Sequence, residues 1–185
     1  MKKLIIISLL LMSINSFAQE DITKEKLHEL KLNALNTLIF KSLDASYEYL
    51  INKESSAGIS IMVNLNDLNT DGPYYNETFA ITPYYRHFFS RKYASGFFME
   101  GFGMYNVQED HYYYDYNSDM IEGQSNANNK SNNFALGISL GAKFVSEKGF
   151  AFEFFAGIGR NLFTSDSDDN FEFVPRLGTS FGYRF

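Results

Sequence analysis

Nine charged side chains recur on the sparse, small-residue side of otherwise apolar segments: Lys31, Asp44, Glu48, Arg86, Glu100, Lys143, Glu153, Arg176 and Arg184. Five are basic and four acidic, so in a confined space they can neutralise one another, whereas any one left alone away from water would be costly. The chemistry this favours is a charge network of ion pairs filling a narrow lumen; passage of protons or ions along it is the alternative. Covalent catalysis has less material. The chain holds no cysteine, which removes disulfides, thiolate metal sites and cysteine nucleophiles together. Its three histidines, His28, His87 and His111, are scattered, and catalysis needs a nucleophile, a base and an orienting group in mutual reach. Asp115-Tyr116-Asn117-Ser118-Asp119 matches the start of a calcium loop, but Met120 stands where Gly is needed and Asn126 where Glu is needed. A looser cation site among Asp166, Asp168 and Asp169 is no more than a cluster of acids. No catalytic, cofactor or metal residue is assigned, and the chain reads as non-enzymatic.

The elements that would position these groups follow from the N-terminus and the composition. Lys2 and Lys3, an apolar run from Leu4 to Met12, and the small residues Ser16 and Ala18 have the form of a secretory signal peptide over residues 1–18. Gln19 follows, so lipoprotein attachment at a cysteine is not supported. Residues 19–28 read as a charged periplasmic lead and 29–185 as one domain. The formal charge is −6, and loss of Lys2 and Lys3 leaves −8, which argues against a nucleic-acid partner. Nineteen Phe and 13 Tyr accompany 13 Gly. After the signal no apolar stretch reaches the roughly 20 residues of a spanning helix. Only helices and closed barrels cross a membrane, because lipid cannot satisfy free backbone groups. An exported, aromatic-rich chain of this kind points to a barrel.

The domain divides into eight runs near the length of a tilted membrane strand: 30–40, 42–51, 57–65, 79–89, 96–107, 133–145, 150–162 and 172–185. Successive strand side chains point to opposite faces. In the sixth run Phe134, Leu136, Ile138, Leu140, Ala142 and Phe144 form one face, against Ala135, Gly137, Ser139, Gly141 and Lys143. The third sets Ile59, Ile61 and Val63 against Gly58, Ser60 and Met62. The fifth is ambiguous, since Phe98, Phe102 and Met104 share parity with Glu100. Small and polar residues suit a narrow interior, so the apolar face is placed outward, toward lipid. Ring-bearing strand ends predict two girdles: Tyr49, Phe89, Phe97, Phe144, Phe150 and Phe185 at one end, Phe79, Tyr105, Phe134 and Phe173 at the other.

Short links carrying Lys53, Arg91, Lys92 and Lys148 alternate with long ones, as periplasmic turns and extracellular loops would; the very short link at Lys41 is the exception. The long links hold eleven acids against one base, Lys130, and the longest contains His111, Tyr112, Tyr113, Tyr114 and Tyr116. Tyrosine gives large contact area at low entropic cost, so this loop is the candidate for recognition of an extracellular partner.

The last strand ends with Leu177, Phe181, Tyr183 and Phe185 on one face and an aromatic terminal residue. It resembles the C-terminal signal read by the barrel-assembly machinery of outer membranes. In architecture along nearly the whole mature chain, with the terminal strand as the motif-like match, the chain is similar to small outer-membrane barrels of the OmpX type and to the membrane domain of OmpA; Ser46-Tyr47-Glu48 and Ile81-Thr82-Pro83-Tyr84-Tyr85-Arg86 also resemble uncharacterised small barrel proteins of this type. That resemblance implies an all-β, eight-stranded antiparallel up-and-down transmembrane β-barrel in the outer membrane of a Gram-negative-type bacterium. Its partners would be outer-membrane lipid and, during insertion, the assembly machinery. The role expected is structural, or interaction through the acidic Tyr-rich loops. A lipid A-modifying barrel enzyme and a narrow channel are the alternatives. A lipid A deacylase would present His and Ser two apart, but two after His87 comes Phe89; Asp110-His111 with a loop serine is the nearest match to an acyltransferase set. A soluble periplasmic ligand-binding barrel is the alternative fold.

Overall fold

A computed structural model describes residues 26–65, 77–109, 130–165 and 173–185. Eight strands run in chain order: β1 (His28–Asn33), β2 (Ser42–Leu50), β3 (Ser55–Asn64), β4 (Glu77–Phe88), β5 (Gly96–Glu109), β6 (Lys130–Val145), β7 (Phe150–Thr164) and β8 (Phe173–Arg184), with one short helix, α1 (Ala34–Ile39), between the first two. Each strand pairs antiparallel with its sequence neighbour, and β8 returns to β1, so the sheet closes into an up-and-down barrel without a free edge. The seam is short, with Glu29 opposite Arg184 and Leu32 opposite Phe181.

Two expectations are corrected at the N-terminal side. Residues 34–40 were assigned to the first strand; they form α1 and its C-cap instead. Leu35, Leu38 and Ile39 lie three and four apart, a helical rather than an alternating spacing. The Asn33 side chain also caps the helix by accepting from the Asn36 N–H. The helix supplies the connection that the sequence made look too short at Lys41, and Lys41 itself turns the chain with φ +50°. In compensation β1 begins two residues earlier than expected, at His28, and Leu27 joins the barrel by accepting a hydrogen bond from the Leu50 N–H. On the other side β5, β6 and β7 run beyond the expected bounds to Glu109, Lys130 and Thr164.

The division into faces holds around the whole ring. Leu136 is 49 % exposed and Ile138 61 %, while Lys143 and Glu153 on the same two walls are 0 % and 1 % exposed. Strand β5 is no exception: Phe98, Glu100, Phe102 and Met104 all point inward and are buried. The interior is therefore not the small-and-polar filling that the glycines suggested. Large rings enter it, and glycines directly opposite them on the neighbouring strands make room for them. A Cβ on Gly137 would strike the Phe102 ring, one on Gly178 the Phe155 ring, and one on Gly58 the Tyr84 ring. Side-chain volume is thus shared between large rings and the glycines beside them to fill the cylinder.

The filling is layered along the axis. Next to the short turns lies an apolar cluster of Leu50, Phe88, Ala94, Phe98 and Phe155. Charged groups occupy the middle. Toward the long links come Met62, Ala80, Tyr84, Phe102, Met104, Ala135 and Val174. Beyond them an amide group forms, in which Asn133 Nδ2 donates to Asn106 Oδ1 (3.1 Å), Gln108 Oε1 (3.2 Å) and Ser131 Oγ (3.2 Å).

Candidate functional site

The inward face of each strand presents one or two polar groups at matched depth, and closure of the ring brings them into contact. All nine predicted residues, Lys31, Asp44, Glu48, Arg86, Glu100, Lys143, Glu153, Arg176 and Arg184, are buried inside the barrel. Glu48 on β2 is the hub. It pairs with Lys31, accepts from Arg86 Nη1 at 2.9 Å and Lys143 Nζ at 2.6 Å, and takes further bonds from Ser56 Oγ (2.6 Å) and Tyr84 OH (3.3 Å). Glu153 on β7 accepts from Lys31 Nζ at 2.9 Å and Arg86 Nη1 at 2.7 Å. Glu100 on β5 joins Arg86 Nε (2.6 Å) to Arg176 Nε (3.0 Å) and accepts from Ser139 Oγ (3.1 Å).

Asp44 stands apart from this web. Its carboxylate accepts from Ser60 Oγ (2.5 Å), Asn33 Nδ2 (2.9 Å) and Asn36 Nδ2 (2.8 Å), neutral donors from β3, β1 and α1. It ties the helix to the barrel wall rather than joining the cations.

One member was missed by the sequence reading. Glu29 is fully buried and pairs with Lys143 Nζ at 2.8 Å and Arg184 Nε at 2.7 Å. The signal was present, because Glu29 shares strand parity with Lys31; it was lost because the strand was started one residue too late. With Glu29 counted and Asp44 apart, four acids meet five bases.

The cations are also held by rings. The Arg86 guanidinium lies 4.6 Å from the Tyr84 ring centre and 4.3 Å from that of Phe98. Arg176 lies 4.8 Å from the Phe155 ring and 5.3 Å from that of Phe102. Arginine suits this setting because its planar, weakly hydrated head stacks on aromatic faces while its edge donates to carboxylates. Desolvating so many ions is expensive, and the arrangement offsets that cost by giving each core carboxylate two or more charged donors. Such a network is a rigid filling: it specifies which strands lie opposite one another and leaves little room for water.

The two described histidines take no part in it. His28 Nδ1 lies 2.7 Å from the Tyr47 hydroxyl, and its ring stacks on Tyr47 and Phe185. His87 meets Phe89 edge to face, with ring centres 4.9 Å apart. Both belong to the ring-bearing collar near the short turns, where Phe89–Phe97, Phe150–Tyr183 and Phe152–Phe181 also touch. Of the terminal-strand residues, Leu177, Phe181 and Phe185 are exposed on the outer face and Tyr183 is half-buried beside Phe150. His111, Tyr112, Tyr113, Tyr114, Tyr116, Asp166, Asp168 and Asp169 lie outside the described residues. Among the described residues no group of three or more His, Cys, Asp or Glu is placed to hold a metal ion.

No curated protein and no solved structure matches the chain. A family model described as a protein of unknown function, DUF3575, matches residues 4–180, which takes in β1 through β7 and most of β8. An eight-stranded closed barrel with a buried ionic filling is thus the architecture of a chain that belongs to the DUF3575 family.

Proposed function

We propose that this protein is an integral outer-membrane β-barrel, exported by the signal at residues 1–18 and filled by its ionic network. Its role is structural or one of surface interaction, not transport. The single observation that carries this reading is the inverted distribution of polarity. The outward face is apolar on every strand, with Leu30, Leu43, Ile61, Tyr85, Met99, Ile138, Phe154 and Leu177 all exposed, while the ion pairs are inside. Monomeric soluble proteins rarely expose contiguous apolar patches beyond a few hundred Å². On β6 the band runs from Phe134 to Phe144; ten rises of about 3.4 Å, tilted by roughly 40°, give about 25 Å of height, close to the apolar band of known membrane barrels.

Other features support the same reading. The exposed Lys53, Arg91, Lys92 and Lys148 mark the short-turn end, the side on which His28 pairs with Phe185 and where a periplasmic face belongs. The outward residues Leu177, Phe181, Tyr183 and Phe185 suit recognition by an assembly machinery. The filled interior favours a plug over a channel, and it supports a membrane barrel over a soluble one that keeps its cavity for a ligand. The acidic, Tyr-rich segment 110–129 is the part we assign to contacts with an extracellular partner.

The decisive experiment uses the outer face. Ile138→Lys is expected to destabilise the barrel by about 2–4 kcal/mol if that position faces the bilayer centre, measured by urea unfolding in lipid vesicles. In a soluble barrel the same change at a 61 % exposed position would cost almost nothing. Recovery of the chain in the aqueous phase without detergent, together with a silent Ile138→Lys, overturns the membrane reading.

A further inference from the structure

We propose that the β4–β5 turn is a cork, latched by Arg184, which seals the barrel at its short-turn end once β1 has closed on β8. Arg91 and Lys92 are exposed at the tip of this turn, but Tyr93, Ala94 and Ser95 fold back into the barrel end. Ala94 is fully buried and packs with Leu50, Phe88, Phe98 and Phe155, with Leu27 and Tyr93 against the cluster. The turn is pinned from three sides. The Ala94 N–H donates to the Lys53 carbonyl in the neighbouring turn at 2.8 Å. Ser95 Oγ donates to the Lys143 carbonyl on β6 at 3.1 Å. Arg184 reaches it from β8, four strands away around the ring, donating through Nη1 to the Tyr93 carbonyl (3.1 Å) and through Nη2 to the Ala94 carbonyl (2.8 Å).

Two details show that the turn is held rather than merely resting there. Ala94 has φ +39°, a left-handed conformation that disfavours any residue with a Cβ and persists only where surrounding contacts impose it. The Arg184 guanidinium is oriented by a second partner, since its Nε donates to Glu29 Oε1 at 2.7 Å. A planar fork with N–H donors fixed on two edges is suited to satisfy one carboxylate and two carbonyls on different sides together.

Glu29 lies on β1, directly opposite Arg184 in the closing register. Until β1 pairs with β8 the guanidinium has no carboxylate to aim it, so the cork is set by the same event that closes the cylinder. Glu29 and Lys143 lie immediately behind the apolar cluster; the cork therefore keeps water from the ionic layer and makes the closed barrel leak-tight.

The absence of cysteine permits a clean test. Ser95→Cys, at a buried position, serves as reporter; it weakens the Ser95 bond to the Lys143 carbonyl equally in every variant compared, and its thiol is modified with a membrane-impermeant maleimide in the folded barrel in detergent micelles. Folding is verified by heat-modifiable migration. With Arg184 intact, modification is expected to be slow. Adding Arg184→Gln should speed it at least about tenfold, Arg184→Lys less, and Glu29→Gln should also speed it. If Arg184→Gln does not fold, Arg184→Lys, which keeps a charge opposite Glu29, decides by the same criterion. Rates within twofold of one another in folded barrels overturn the latch. A Glu29→Gln rate equal to the parent's overturns its coupling to closure. The readout is chemistry on a folded barrel in micelles, so its failure leaves the proposed membrane location untouched.

Discussion

Glu48→Gln is expected to destabilise the folded barrel by about 3–5 kcal/mol, the usual cost of removing one partner from a buried ionic cluster. Glu48 is in close contact with Lys31, Arg86 and Lys143, whereas Glu153 holds Lys31 and Arg86 but meets Lys143 only at 3.9 Å. A neutral amide in its place keeps most of the shape but leaves three cations sharing the remaining carboxylates in a site that water does not reach. The measurement is the urea midpoint of the refolded barrel, followed by heat-modifiable migration or far-ultraviolet dichroism, since the chain has no tryptophan. Two comparisons make the result specific. Glu54→Gln, at a half-exposed pair with Lys53, should change stability by less than about 0.5 kcal/mol. Combining Glu48→Gln with Lys143→Met should cost less than the two single changes added together, because it removes one of the stranded charges along with its partner. A Glu48→Gln barrel as stable as the parent would mean that the interior is hydrated and the network contributes little.

The second large effect is expected at glycines that face rings. Gly137→Ala should cost about 2–3 kcal/mol or abolish folding, the range of an overpacked core. The new Cβ would meet not only the Phe102 ring but Gly159 Cα and Ile158 O, both at 2.6 Å and both part of the β7 backbone, which cannot withdraw without breaking the β6–β7 ladder. Trimming Phe102 therefore should not rescue it. Gly178 differs: its nearest neighbours are atoms of the Phe155 ring and Asn33 Nδ2 at 3.1 Å, all side chain. Gly178→Ala should accordingly be relieved in large part by Phe155→Leu, the pair costing less than the sum. Outward Gly101 has nothing within 4 Å of the added Cβ, and Gly101→Ala should be neutral or stabilise by up to about 1 kcal/mol. If all three glycines behaved alike, the fit of rings into glycine vacancies would not be what fills the barrel.

These two predictions also mark where the sequence could be read. Alternation is a local property: each residue reports its own face through its neighbours two positions away. That is why Leu136 and Ile138 could be placed outside and Lys143 and Glu153 inside from the sequence, and why nine of the ten ionic members were found. The failures are equally local in origin. Segment 34–40 gave a helical spacing that was read as a strand, and the resulting shift of the first strand left out Glu29. The fifth strand looked ambiguous because Phe98 and Phe102 share a face with Glu100, and nothing nearby in sequence says that a ring is welcome in the interior.

The sequence by itself determined the strand count, the two faces of most strands and all but one of the charges turned inward. Only the closed structure decided which charge meets which, since Lys31 joins Glu48 across 17 residues but Glu153 across 122. The reason is geometric. Facing and period are properties of a single strand, whereas contacts across the axis depend on ring closure and on the stagger of the strands, and no short stretch of sequence carries either. The same holds for Arg184 and the turn beneath the barrel, which are neighbours only because the last strand closes against the first.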